Sequence, residues 1–183
     1  MRITPLLLIA ALAASLPAHA VDSYVGFGLT QAPSEQRLVI SPGVSARTET
    51  DPYTRIYAGV YIDQNFSIEG AYHYFGTTKC CNGISDAGFD IDTKAWSIGV
   101  RYEYGDAQWA PYSKLGYFAS DSDGHELTIS GPVAFSDSDN GLMFEGGVRW
   151  MPNDTFSLRG GYEWFDSERG GDGGITVAAE FSF

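Results

Sequence analysis

One rhythm of apolar side chains at every second position runs through eight separate segments of this chain, and few folds accept such a pattern. Val25, Phe27 and Leu29 alternate with Tyr24, Gly26, Gly28 and Thr30; Ile56, Ala58, Val60 and Ile62 alternate with Arg55, Tyr57, Gly59 and Tyr61. Phe66, Ile68, Tyr72 and Tyr74 stand against Ser67, Glu69, Ala71 and His73, and Trp96, Ile98, Val100, Tyr102 and Tyr104 against Ser97, Gly99, Arg101 and Glu103. Leu115, Tyr117 and Ala119 face away from Tyr112, Lys114 and Gly116; Leu142, Phe144, Val148 and Trp150 from Glu145, Gly147 and Arg149. Phe156, Leu158, Tyr162 and Trp164 oppose Ser157, Arg159, Gly161 and Glu163, and Ile175, Val177, Ala179, Phe181 and Phe183 oppose Thr176, Ala178, Glu180 and Ser182. Successive side chains of a strand point to opposite faces, so each segment reads as a two-faced β-strand. No comparable helical period exists, and 22 glycines supply turns.

Each segment is about ten residues, the length a tilted strand needs to cross a hydrocarbon layer. The connections alternate in size: residues 31–53, 76–93, 121–140 and 166–173 are long, whereas Asp63-Gln64-Asn65, Gly105-Asp106-Ala107-Gln108 and Pro152-Asn153-Asp154 are tight turns. Short turns on one side, long loops on the other and an even strand count describe an outer-membrane barrel. The expected fold is therefore all-β, an eight-stranded antiparallel up-and-down transmembrane β-barrel.

The non-apolar faces carry Arg55, Arg101, Lys114, Arg149 and Arg159 together with Glu69, Glu103, Glu145, Glu163 and Glu180. Bases and acids are equal in number, and a buried charge must be paired, so this balanced set suits a narrow enclosed lumen. The alternative is a soluble barrel of the lipocalin kind, with its apolar face turned inward around a ligand. Aromatics oppose it by grouping at two levels: Phe66, Tyr102, Tyr104, Trp109, Trp150, Phe156 and Phe183 near the turns, and Tyr72, Tyr74, Trp96, Tyr117 and Trp164 nearer the loops. Two aromatic girdles mark the two membrane interfaces.

Ahead of the first strand, Met1-Arg2, the apolar run from Pro5 to Leu16 and Ala18-His19-Ala20 have the form of a secretory signal peptide over residues 1–20, cut before Val21. Residues 21–183 are then one barrel domain. The net charge of −12 becomes more negative once Arg2 is removed, which repels nucleic acid. Much of that charge falls in the long connections, where Glu35, Glu49, Asp51, Asp86, Asp90, Asp92, Asp121, Asp123, Glu126, Asp137, Asp139, Asp166, Glu168 and Asp172 face Arg37, Arg47, Lys79 and Arg169. The stretch DSDGHE at 121–126 has some character of a calcium loop but lacks the full ligand spacing, so no metal site is predicted. Cys80 and Cys81 are adjacent, and in an oxidising compartment they are either a vicinal disulfide or free thiols.

GGVRWMPNDTFSLRGGYEWF at 146–165 resembles the penultimate hairpin of the OmpA-type eight-stranded transmembrane barrels, and APYSKLGYFAS at 110–120 is similar to their fifth strand. The resemblance implies outer-membrane residence with both termini in the periplasm, contact with membrane lipid and lipopolysaccharide, and a terminal Phe183 read by the outer-membrane assembly machinery. It also implies a salt-bridged gate within a narrow pore, with Glu69 and Arg159 at the acidic and basic gate positions. Where the prototype is acidic after its Gly-Gly-Val, this chain has Arg149, leaving Glu145 or Glu163 to substitute. The prototype's following peptidoglycan-binding domain has no counterpart before Phe183, so cell-wall anchoring is not expected.

Three functions are weighed. The first is a non-enzymatic structural or surface-interaction barrel that presents acidic loops to an extracellular partner, because an eight-stranded interior is filled by its own side chains. The second is a narrow gated, porin-like channel using the lumen network Glu69, Arg101, Glu103, Lys114, Glu145, Arg149, Arg159 and Glu163. The third is an enzyme, and it is not favoured: His73 on the lumen face and His125 in an acidic connection are the only bases of the mature chain that suit a serine nucleophile. No cofactor is expected.

Overall fold

The computed structural model describes residues 22–31, 36–41, 44–48, 52–80, 89–105, 108–128, 131–167 and 170–183. Its strands are β1 (Ser23–Gln31), β2 (Gln36–Ser41), β3 (Val44–Thr48), β4 (Tyr53–Tyr61), β5 (Phe66–Cys80), β6 (Phe89–Glu103), β7 (Trp109–Thr128), β8 (Gly131–Trp150), β9 (Phe156–Ser167) and β10 (Gly170–Ser182). Eight of them close a barrel in the order β1-β10-β9-β8-β7-β6-β5-β4, and every pairing is antiparallel. Closure is made by the first and last strands, in register from Tyr24 opposite Ser182 to Gln31 opposite Ile175. The amide of Phe183 donates to the Ser23 carbonyl at 2.9 Å and the Ser23 amide to the Phe183 carbonyl at 3.1 Å, so the terminal residue belongs to the seam. No edge is left open within the apolar belt, as a hydrocarbon environment demands.

The faces fall as the alternation predicts. Val25, Phe27, Leu29, Ile56, Ile98, Val100, Leu115, Val177 and Phe181 are exposed on the outside, while Tyr24, Arg55, Glu69, Arg101, Lys114 and Glu180 are buried inside. Ile175 is 68% exposed and Glu69 0%, an inversion that has a physical reason only if the outer surface meets lipid. At the turn end Phe66 packs on Tyr102 at 4.6 Å between ring centroids, Trp109 stacks on Trp150 at 5.7 Å and Phe156 meets Phe181 at 5.3 Å. Trp96 and Tyr117 pair at 6.5 Å nearer the loop end. No helix among the described residues is long and apolar enough to cross a membrane; the strands do so.

Two of the tight turns are built on the side chain of their first polar residue. The Asp63 carboxylate accepts from the amides of Asn65 and Phe66 at 2.8 and 2.7 Å. The Asn153 amide oxygen accepts from those of Thr155 and Phe156 at 3.1 and 2.9 Å.

The long connections differ from expectation. Residues 31–53 contain a two-stranded hairpin of β2 and β3. β5 continues to Cys80 and resumes as β6 at Phe89, past an irregularity between Tyr74 and Gly76, where Gly76 takes φ 77°. β7 and β8 stay paired from Trp109 opposite Trp150 to Thr128 opposite Gly131. DSDGHE is therefore strand, with Asp121 opposite both Lys94 and Ser138 and His125 opposite both Asp90 and Ala134, and not a loop. Successive side chains of an extended strand diverge to opposite faces, so the six residues do not wrap around one calcium ion as a loop does. No cluster of metal-ligating side chains occurs among the described residues. The signal-peptide residues 1–20, Glu35 and Cys81 lie outside the described residues, as do the side chains of Cys80, Asp90 and His125.

Candidate functional site: the barrel interior

All the lumen charges predicted from the sequence are buried, Arg149 being the most open at 8%. They form two connected groups along the bore. Toward the turn end, Glu69 is the hub. Its Oε1 accepts from Lys114 Nζ at 2.7 Å; its Oε2 accepts from Arg159 Nη1 at 2.9 Å and the Tyr24 hydroxyl at 3.1 Å, with Arg101 Nη1 at 3.5 Å. Glu180 takes Arg101 Nη1 at 2.8 Å and stands 3.5 Å from Arg159 Nε and 3.6 Å from Arg149 Nη1. Glu103 pairs with Arg101 Nη2 at 2.9 Å and with Arg149, and its Oε1 accepts from the Tyr61 hydroxyl at 3.0 Å.

Nearer the loop end, Arg55 holds two carboxylates. It reaches Glu145 with both terminal nitrogens at 2.7 Å and Glu163 Oε1 at 2.8 Å. Tyr112 donates to Glu145 at 2.7 Å, and Tyr53 and Thr30 donate to Glu163 at 3.1 and 3.4 Å. The lower group thus sets Arg101, Lys114, Arg149 and Arg159 against Glu69, Glu103 and Glu180, a surplus of one positive charge. The upper sets Arg55 against Glu145 and Glu163, a surplus of one negative charge, and the bore as a whole is neutral. The ring of Tyr57 lies between them, 4.2 Å from the Arg159 guanidinium and 5.2 Å from that of Arg55.

The pairs the resemblance implied are present in part. Arg159 does meet Glu69; Arg149, standing where the prototype is acidic, serves Glu103 and Glu180, while Glu145 and Glu163 are taken by Arg55. Two features escaped the sequence reading. One is a tyrosine set: the hydroxyls of Tyr24, Tyr53, Tyr61 and Tyr112 donate to carboxylates, that of Tyr57 donates to the Ala179 carbonyl, and the rings of Tyr24, Tyr57, Tyr61 and Tyr112 lie over guanidiniums. Tyr24 and Tyr57 are admitted by glycines on the neighbouring strand: a Cβ on Gly59 or Gly26 would overlap their rings. The other is an apolar stopper, with Tyr53, Phe118, Met143 and Phe165 buried together and Phe75 packed against them. His73 lies beneath it, fully buried, with Nε2 2.9 Å from Ser97 Oγ and its ring 5.4 Å from that of Phe165.

Ion pairs fill the lower part of the bore and buried rings the upper. As an arrangement it can brace the barrel wall.

Comparison with known proteins agrees with this architecture. No curated protein matches the chain in sequence. Among solved structures, Ail of Yersinia pestis, in complex with the heparin analogue sucrose octasulfate, superposes with TM-score 0.57 at 15% identity, covering 89% of this chain and 99% of that one. The N-terminal β-barrel domain of Pseudomonas aeruginosa OprF gives 0.60 at 8% identity, covering 88% and 97%. Neisserial surface protein A gives 0.53 at 18% identity, covering 92% and 100%. At these identities the likeness is one of fold. The sequence signature of the outer membrane protein beta-barrel domain matches residues 6–183, and the chain belongs to that family.

Proposed function

We propose that this protein is a non-enzymatic outer-membrane barrel whose role is structural or surface-interacting, with the membrane-embedded part as a rigid stand for what projects beyond it. The observation that carries this reading is the filling of the bore at two levels, by the ion-pair groups around Glu69 and Arg55 and by the buried cluster of Tyr53, Phe118, Met143 and Phe165. Residues 1–20 are a signal peptide in this reading, and both termini are periplasmic. Phe183 is the assembly signal, and lipid and lipopolysaccharide surround the belt. Catalysis is not part of it: among the described residues the His–Ser contact is His73 to Ser97, and His73 is fully buried.

The outer surface bears on the kind of partner. Ail was crystallised with a polyanion. Here Asp92, Asp121 and Asp123 are exposed beyond the belt, and such a surface repels sulfated ligands and favours basic ones. A swelling assay on proteoliposomes tests the reading: sugars and amino acids should enter no faster than into empty vesicles, and solute entry that scales with protein content contradicts it.

The second reading is a narrow gated channel. It is favoured by one fact, that the interior is lined by charge rather than packed throughout with apolar side chains.

A further inference from the structure

The strands of the barrel end at different heights. On the β8–β9 ladder the outermost pair is Leu142 with Asp166, whereas on the β7–β8 ladder pairing continues to Thr128 with Gly131. Gly131–Asn140 therefore forms one margin of a sheet standing above the belt, with β7 on one side and no strand on the other among the described residues. The direction of its free groups follows from the register. In an antiparallel ladder the backbone amide and carbonyl of one residue point to the same neighbour, and alternate residues point oppositely. The Met151 amide bonds Gln108 on the β7 side, so odd-numbered residues of β8 face β7 and even-numbered ones face away. Two observations agree. Pro132, which has no amide hydrogen, falls on an outward position, where an edge tolerates it. The outward Asn140 amide is satisfied by the Asp139 side chain at 2.7 Å instead of by a strand. Ala134, Ser136 and Ser138 remain as outward donors with no strand partner among the described residues.

An open edge of this kind recruits extended chains. A second copy of this protein is a poor candidate, since edge-to-edge pairing would set Asp137 and Asp139 of one molecule beside those of the other, and like charges across strands destabilise. The same carboxylates, with Asp121 and Asp123 on the other face of the sheet, complement an opposite charge.

We propose that Gly131–Asn140 of β8 is a docking edge for an extended basic segment of a partner protein. The segment adds as a further strand, bonding the backbone of Ala134, Ser136 and Ser138 and presenting Lys or Arg at alternate positions toward Asp137 and Asp139. This deepens the surface-interaction reading and rests on it.

The test uses the full barrel in lipid nanodiscs with a synthetic ten-residue peptide alternating Lys and Thr, and a Glu–Thr peptide as control. Residue-resolved amide exchange should show Ala134, Ser136 and Ser138 exchanging fast alone and slowing on addition of the Lys–Thr peptide only. Ser136→Pro and Ser138→Pro remove outward donors while sparing the β7 ladder, and each should weaken binding about threefold to tenfold. Asp137→Asn with Asp139→Asn should weaken it further and reduce its salt dependence. Heat-modifiable gel migration confirms that the variants fold. If the peptide leaves those amides unprotected, or binds Ser136→Pro as well as the parent, the docking edge is overturned. Binding elsewhere on the exterior would still agree with a surface role, whereas solute entry in the swelling assay would remove that role by itself.

Discussion

Glu145 and Glu163 stand directly opposite each other on the β8–β9 ladder, and Arg55 reaches across the bore from β4 to bond both carboxylates. The same rule governs the rest of the interior. Arg149 opposes Arg159 on that ladder and Arg101 opposes Lys114 on the β6–β7 ladder, each like-charged pair being neutralised by side chains from other walls. Like charges across a ladder are destabilising on their own. Arg101 also pairs with Glu103 on its own strand, but Arg55, Lys114 and Arg149 find their carboxylates across the bore, so the curled sheet completes its electrostatic compensation when it closes.

Removing Arg55 should expose this arrangement. Arg55→Met leaves two buried, adjacent carboxylates without a cation and should cost about 3–5 kcal/mol of stability. Urea unfolding of the refolded barrel measures it. Adding Glu163→Gln should recover part of the loss, since only one carboxylate then stays unpaired.

Glu69 is the counterpart among the acids. Glu69→Gln leaves Lys114 and Arg159 without their shared carboxylate and should destabilise by about 3–5 kcal/mol. Thermal unfolding followed by gel migration reads the change. A loss below that of an exposed surface pair would show the hub to be dispensable.

The glycine sockets make a steric prediction. Gly26→Val places a side chain where the Tyr57 ring lies and should cost about 1–3 kcal/mol through overpacking. Gly160→Ala is the control, because a Cβ there meets nothing within 4 Å and should be nearly neutral. Denaturant midpoints of the two variants, measured side by side, settle the contrast.

The outward face makes another. Val100 is exposed in mid-belt between the girdles, paired with Ile68 and Leu115. Val100→Arg should cost about 2–4 kcal/mol in a bilayer. Comparable stability of this variant and the parent after refolding into vesicles would show that the position does not face lipid.

How much of this was legible in the sequence depends on what each side of a strand touches. Within the belt one face meets hydrocarbon and the other the bore, so Ile98, Val100, Arg101 and Glu103 announce their sides by alternation, and fold and lumen charges follow. Above the belt both faces of β7 and β8 meet water. The rhythm fades at Ser120 although pairing continues to Thr128, and for that reason the strands looked like loops. The stopper left a subtler trace. Tyr74-Phe75, Tyr117-Phe118, Leu142-Met143 and Trp164-Phe165 are apolar doublets that break the alternation on four strands, the first residue facing outward and the second inward. Which charge pairs with which was not readable, because the partners meet across the bore at sequence separations such as 90 residues for Arg55 and Glu145.

Planar-bilayer recording of the refolded protein tests most directly whether this interior is a plug. The parent barrel should give no steady unitary conductance, and Lys114→Gln or Arg159→Gln should stay silent as long as the stopper of Tyr53, Phe118, Met143 and Phe165 is intact. Discrete openings of the parent protein that change in size or frequency when either charge is neutralised would contradict the account and make the bore a gated channel.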